Sequence, residues 1–360
     1  GAGPLREWEG FLAALIRLGD DERHERLVEA CRNRLLDANR NLVAVELLAR
    51  SGSAAVELLT DQLELENKTI QDGVIGLLGH LGDMDVVVDL LDRLSEGNEE
   101  ARENAIELLE NMADRELMGL LLPLLEADPE ERQVAARAVT GDALPVVDAV
   151  IGSLLQTPNS WTRMAAAWAA RALDKGEMLA VLGDDPAAHV RETVAELVSE
   201  GGGMEVEQQA QDAHLPLTTM DKITFLKQSP FFAELPLEEL YHIAQSMEEE
   251  AVVAGSRVIN EGTTGDKMYI VVRGRLEVRK FAGEDNTEGQ FIAALDERQV
   301  FGEMALLDDE PRSASVLAVG DAHLLSLQRS NLERLLRRYA SIAFNMMRIL
   351  SQRLRDSMAA

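Results

Sequence analysis

Cysteine is almost absent from this chain: Cys31 stands alone among 360 residues. A single thiol closes no intrachain disulfide and builds no thiolate zinc site, which points to a reducing compartment. Glycine and proline are scarce as well. With 26 Gly and 10 Pro, the composition excludes a collagen-like or mainly disordered chain. Basic residues are outnumbered, 35 Lys and Arg against 64 Asp and Glu, for a net charge of −29. Such a surface disfavours DNA or RNA as a partner, so no nucleic acid is expected. The longest apolar run, around Leu117–Leu125, is too short to span a bilayer. The chain starts Gly1-Ala2-Gly3-Pro4, with no initiator Met and no signal peptide, and reads as an excised or trimmed fragment; a cytoplasmic location is expected.

What remains is ordinary for a soluble protein, with 46% hydrophobic and 28% charged residues. At about 150 residues per domain the length suggests two or three domains. The two halves differ. Residues 1–200 hold 18 basic and 39 acidic residues, net −21; residues 201–360 hold 17 and 25, net −8. Between them lie Gly201-Gly202-Gly203 and a polar stretch to His214. Consecutive glycines end a helix and leave a flexible joint. The expected organisation is a helical domain over 1–200, a linker over 201–217 and a second domain over 218–360.

The first half reads as helix after helix, with apolar residues at three- and four-residue spacing, as in Ile106, Leu108, Leu109 and Met112. Short polar turns are expected to precede helices at Asn39, Asn67, Asn98, Asp128, Pro158 and Asp185, a period of about 30 residues. Such a period implies stacked helix pairs. The segments Asp128-Pro129-Glu130-Glu131-Arg132-Gln133-Val134-Ala135-Ala136 and Asp185–Ala195 resemble HEAT repeats, in which an Asp-Pro turn opens the second helix and small residues allow close packing. Physically, Asp caps the helix and Pro suits its first turn. Asn67-Lys68 and Asn98-Glu99 depart from the Asp-Pro pattern.

The second half starts with short helical stretches around Met220–Gln228 and Pro236–Met247, then changes period. Strand-like runs follow at Ala251–Val253, Arg257–Asn260, Met268–Val272, Arg275–Lys280, Gln290–Leu295, Ala314–Val319 and Ala322–Gln328. Gly-containing or polar turns separate them, so an antiparallel sandwich or barrel is expected. From Asn331 the pattern is helical again, and residues 325–360 carry seven Arg against two acids. The fold class expected is therefore multidomain: an all-α HEAT-like solenoid, then an α+β domain with an antiparallel sandwich or barrel flanked by helices.

Chemistry concentrates in residues 301–316, Phe-Gly-Glu-Met-Ala-Leu-Leu-Asp-Asp-Glu-Pro-Arg-Ser-Ala-Ser-Val. With the turn Glu261-Gly262-Thr263-Thr264-Gly265-Asp266, the run Gly274–Val278 and the opening segment Pro230–Leu235, this resembles the phosphate-binding cassette of cyclic nucleotide-binding domains. The residue types suit a cyclic nucleotide on physical grounds. Arg312 can offer a planar fork to phosphate oxygens. The backbone N–H groups near Met304 and Ala305 add donors at a helix start. Gly302 admits close backbone approach. Glu303 accepts a ribose hydroxyl proton. The Ser313 hydroxyl can donate to the phosphate, and Ala314 leaves room.

The resemblance implies that the second domain is a β-roll (jelly-roll-like) flanked by helices, and that the protein is a non-enzymatic sensor. Ser313, where Thr favours cGMP in the family, points to cAMP. Leu332–Leu336 and Ile342–Leu350 resemble the family's terminal helices, and a residue within Phe344–Arg348 is expected to cap the base. The domain pair also resembles the soluble tail of bacterial ADP/ATP-carrier-type transporters. That would place this chain on the cytosolic side of a fused or associated membrane transporter, with a protein partner on the solenoid. A ligand-free scaffold built on the solenoid is the alternative. A bilin lyase, which also carries HEAT-like repeats, is disfavoured by the lone cysteine and the cassette. The six histidines are scattered without ligand spacing, so no metal is expected. Gly73–Gly79 lacks dinucleotide-binding spacing and reads as helix packing.

Overall fold

The computed structural model describes residues 20–80, 94, 99–112, 115–141, 145–199, 216–281, 289–307 and 310–359. The chain divides into two compact units, Gly1–Val194 and Ala195–Ala360. Residues 201–215 of the expected linker, and Asn98, lie outside the described residues.

The first unit is helical. It contains α1 (Asp20–Leu48), α2 (Ala54–His80), α3 (Glu99–Met112), α4 (Arg115–Leu125), α5 (Pro129–Thr140), α6 (Val147–Leu154), α7 (Ser160–Ala172) and the start of α8 (Ala188–Ser199). The buried stripe of α1 runs Leu27, Cys31, Leu35, Ala38 and Leu42, spacings that keep one helix face inward. It packs with Ile70, Val74 and Ile75 of α2, Leu109 of α3 and Leu117, Leu121 and Leu125 of α4. Burial pushes the Cys31 thiol up to about 12, so it behaves as a small core residue.

Local capping explains where the later helices begin. The Asp128 carboxylate accepts from the Glu130 and Glu131 backbone N–H groups at 2.9 and 3.0 Å, with Pro129 opening α5. The Asn159 side chain accepts from Trp161 and Thr162 and opens α7. In α7, Ala165, Ala166, Ala167, Ala169 and Ala170 are fully buried, and α7 packs on α2. Small side chains are what permit that approach. Arg163 and Asp185 form a bidentate buried pair at 2.6 and 2.8 Å, and Asp185 also accepts from the Ala187 N–H at the foot of α8.

The early part of the repeat pattern is different from the sequence expectation. Asn39 and Asn67 are not turn residues. They lie inside the continuous helices α1 and α2, and both are buried. The Asn39 amide donates to the Leu35 and Leu120 carbonyls, both at 2.8 Å, and the Asn67 side-chain oxygen accepts from the Asn41 amide at 3.0 Å. A polar residue at a helix-compatible spacing looks like punctuation in sequence; here tertiary hydrogen bonds hold it in the core.

The second unit places α9 (Thr219–Gln228) and α10 (Leu237–Gln245) before the strands. A reciprocal capping box between Thr218 and Asp221 starts α9. The strands are β1 (Met247–Val252), β2 (Arg257–Ile259), β3 (Lys267–Arg273), β4 (Leu276–Lys280), β5 (Gln290–Leu295), β6 (Val300–Phe301), β7 (Ser315–Ala318) and β8 (Ala322–Gln328). The four-residue helix α11 (Met304–Leu307) lies between β6 and β7, and α12 (Arg329–Arg338) and α13 (Ala340–Ala359) end the chain. Two four-stranded antiparallel sheets form, in the orders β1-β8-β3-β6 and β2-β7-β4-β5. Ile259, Val316, Ala318 and Leu276 of one sheet share a core with Tyr269, Val271, Phe301 and Leu324 of the other, so the sheets face each other. β6 is the one described strand that the sequence pattern did not announce, being two residues long.

No helix among the described residues is long and apolar enough to cross a membrane. The Leu117–Leu125 run forms most of α4 and buries Leu117, Leu121 and Leu125.

Candidate functional site

The segment from β6 to β7 folds back on the turn before β3. The Arg312 N–H donates to the Thr263 carbonyl at 2.9 Å, and the Gly262 N–H donates to the Arg312 carbonyl at 2.8 Å. The Ser315 hydroxyl accepts from the Glu261 N–H at 3.0 Å. These bonds pair the turn at 261–266 with the segment that carries Arg312 into β7, although the two are some fifty residues apart in the chain. Gly262 has φ +78 and Gly302 φ +76, left-handed values that suit glycine.

Arg312 is 8% exposed and Glu303 5% exposed. The guanidinium donates through Nη1 to the Gly302 carbonyl at 2.6 Å and through Nη2 to the Lys267 carbonyl. It lies between two glycines. A Cβ on Gly265 would sit 2.0 Å from Nε, and one on Gly302 would sit 2.8 Å from Nη1. Both positions are cut away so that a large planar cation fits. Burial pushes the Arg312 pKa down from its ordinary value; the charges of Tyr269, Asp266 and Glu303 oppose that, and Arg329 adds to it. The neighbouring Asp266 and Glu303 carboxylates offset part of the cost of burying this cation, and its planar fork is suited to donate to an oxyanion.

Around this centre, Lys267 pairs with Glu250 at 2.7 Å, which raises the lysine pKa. Tyr269 stacks on Phe301 with centroids 5.1 Å apart, and burial raises the Tyr269 pKa. Arg329, the first residue of α12, donates to the Leu306 carbonyl at 3.2 Å and the Gly265 carbonyl at 3.3 Å.

Of the site residues expected from sequence, Gly302, Glu303 and Arg312 come together as described. Met304 opens α11 with its side chain exposed, and Ala305 lies within that helix. Ser313 is exposed beside Arg312 in the chain, and Ala314 is half-buried. Gly265 is legible in the sequence only as part of a turn, and Lys267 and Arg329 are not legible there as site residues. Nothing local marks them, because what joins them to the site is backbone carbonyls brought in from β3, α11 and the 261–266 turn.

The expected lid residues are placed by contacts with the start of the unit. Tyr339 donates to Glu238 at 3.1 Å, Ser341 donates to Glu239, and the Asn345 amide donates to the Phe231 carbonyl at 2.6 Å. Arg348 pairs with Glu234. In the expected capping stretch Phe344 and Met347 are 69% and 54% exposed, and Arg348 is exposed as well.

Residues 249–339 match the family described as the cyclic nucleotide-binding domain. The chain is similar to the Cyclic AMP receptor protein of Thermus thermophilus, 34% identical over 132 residues, covering 37% of this chain and 60% of that protein. It is similar to the cAMP-dependent protein kinase regulatory subunit of Yarrowia lipolytica, 36% identical over 112 residues, covering 31% of this chain and 28% of that one. Among solved structures, the regulatory domain of Toxoplasma gondii PKA with cAMP matches at 30% identity and TM-score 0.31, covering 32% of this chain and 44% of that one. The Thermus thermophilus Catabolite Activator Protein matches at 32% identity and TM-score 0.33, covering 36% and 61%. The chain thus spans less than two thirds of each of these proteins, and the similarity resides in a cyclic nucleotide-binding domain of the regulatory kind.

Proposed function

We propose that this protein is a non-enzymatic sensor of a cyclic nucleotide, with cAMP preferred over cGMP. The observation that carries the reading is the buried Arg312 guanidinium seated between Gly265 and Gly302 beside a buried Glu303. Arginine has five N–H donors. The contacts to the Gly302 and Lys267 carbonyls fix the plane of the group and leave donors for phosphate oxygens. Glu303 accepts from the ribose hydroxyl, and the Met304 and Ala305 amides and the Ser313 hydroxyl supplement the phosphate contacts. Ala314 leaves space for the ring. The similarity to a Cyclic AMP receptor protein and to a cAMP-dependent protein kinase regulatory subunit supports cAMP as the ligand.

Signalling requires that the ligand bind one arrangement of α12 and α13 more tightly than another. The contacts from Tyr339, Ser341, Asn345 and Arg348 to the 231–239 segment define one such arrangement. The helical unit, read as a HEAT-like solenoid over 1–200, would pass the change on or dock a protein partner, and an associated membrane transporter is the proposed output on the cytosolic side.

The test is calorimetric titration with cAMP and cGMP of the wild type and of Arg312→Ala. A charge-assisted hydrogen bond is worth about 1.5–3 kcal/mol, so the variant should bind about 10- to 150-fold more weakly. Wild-type protein that binds neither nucleotide would overturn the sensor reading and leave the scaffold.

A further inference from the structure

The cassette is held from outside by a second arginine. Arg329 makes three hydrogen bonds to backbone. Its backbone N–H donates to the Asp266 carbonyl at 2.7 Å, and its side chain donates through Nη2 to the Gly265 carbonyl at 3.3 Å and through Nη1 to the Leu306 carbonyl at 3.2 Å. Two of those carbonyls belong to the turn that walls Arg312 on one side. The third is at the end of α11, where a helix carbonyl has no intrahelical donor and needs one from elsewhere. One side chain therefore ties both flanks of the phosphate site together.

We infer that Arg329 is a positioning residue for this site: it sets the separation of the Gly265 turn and α11, and through them the direction in which Arg312 points. The inference rests on the cyclic nucleotide reading above. Three features support it. The clearance for Arg312 is small, since even a methyl group on Gly265 would overlap it. A wall displaced by a few tenths of an ångström must then move the guanidinium. The two guanidinium groups also lie near enough for the charge of Arg329 to act on Arg312, so Arg329 strengthens the positive field an anion meets. Finally, Arg329 begins α12, which is anchored by buried Leu332 and Leu335. Movement of that helix pulls on three carbonyls of the site at once. The inverse follows by linkage: an anion that fixes Arg312 stabilises one placement of α12.

Planar geometry matters here, because a lysine at 329 keeps the charge and loses the fork that spans Gly265 and Leu306. The experiment measures affinities for the two phosphorothioate diastereomers of cAMP, which differ only in which exocyclic oxygen is replaced by sulfur. A well-aimed Arg312 distinguishes them, and the ratio of affinities cancels general effects on folding. Wild type should show a ratio of about tenfold or more. Arg329→Lys and Arg329→Gln should weaken cAMP binding about tenfold and bring the ratio toward one. Thermal unfolding of both variants identifies the one that keeps its fold, and that variant decides the outcome.

A fall in affinity with an unchanged ratio means that Arg329 only supports the fold, and overturns the inference. So does unchanged affinity, or a wild-type ratio near one. Wild type that binds neither diastereomer nor cAMP itself instead removes the cyclic nucleotide reading, a result separable from the others because it needs no variant.

Discussion

Gly265→Ala is the sharpest perturbation of the site that leaves the rest of the molecule alone. Gly265 does not adopt a left-handed φ, so alanine meets no backbone strain there. The added Cβ instead meets Arg312 Nε at 2.0 Å, Cζ at 2.1 Å and Nη2 at 2.4 Å. No real contact is that short, and the atoms struck are the far end of a flexible side chain. The side chain yields by leaving its seat, which forfeits its bonds to Gly302 and Lys267 and its aim at a phosphate. The binding loss is then that of the charge-assisted contacts, about 1.5–3 kcal/mol, or about 10- to 150-fold in Kd. Stability should change little, within about 1 kcal/mol, because the guanidinium exchanges backbone acceptors for water. Gly255→Ala is the matched control. Gly255 has φ +79 with nothing within 4 Å of its would-be Cβ, so the control carries backbone strain without touching Arg312. Calorimetric titration with cAMP and thermal unfolding of both variants separate the effects. Gly265→Ala binding within twofold of wild type would refute the reasoning that this seat orients Arg312.

Two further predictions concern stability. In the first unit, Arg163→Ala leaves the Asp185 carboxylate buried without its partner, which should cost about 3–5 kcal/mol. Arg163 holds the Asp185 pKa below the usual carboxylate range, so this stabilisation is present above that range and is lost as the pH falls through the folded value. A denaturation series at falling pH should show wild type approaching the variant; a constant gap argues against the linkage. In the second unit, burial raises the Glu239 pKa, only partly offset by the Ser341 hydroxyl, and its Oε2 is buried with no hydrogen-bond partner. The folded state therefore holds this proton more tightly than the unfolded state. Its contribution is fullest at low pH and is lost as the pH rises through the raised value. Glu239→Gln should melt at or above wild type near neutral pH, and that advantage should shrink on acidification; a variant that melts well below wild type near neutral pH contradicts this.

The order of elements in the second unit was readable along the chain. Strand runs separated by glycine turns, the Phe301-Gly302-Glu303 start and the Pro311-Arg312 end all follow from local chemistry, because alternation, turn residues and short-range spacing act within a few residues. The same holds for the helix starts after the turns at Asp128 and Pro158, where the Asp128 and Asn159 side-chain oxygens each accept from backbone N–H groups two and three residues on. The pattern misled where polar residues serve distant partners. Asn39 bonds to Leu120 and Asn67 to Asn41, so residues that look like turn punctuation in sequence are buried within helices.

The sequence by itself determined which residue types could hold a cyclic nucleotide and in which cassette. Only the tertiary structure decided how they are aimed. Arg312 is oriented by the carbonyl of Lys267, 45 residues away, and the walls of its seat are joined by Arg329, whose contact at Gly265 is 64 residues away. Those bonds are made by backbone carbonyls, which every residue carries, so no side-chain pattern announces them. They exist only once antiparallel pairing of β3 with β8 and with β6 brings the turn, the start of α12 and the short helix together.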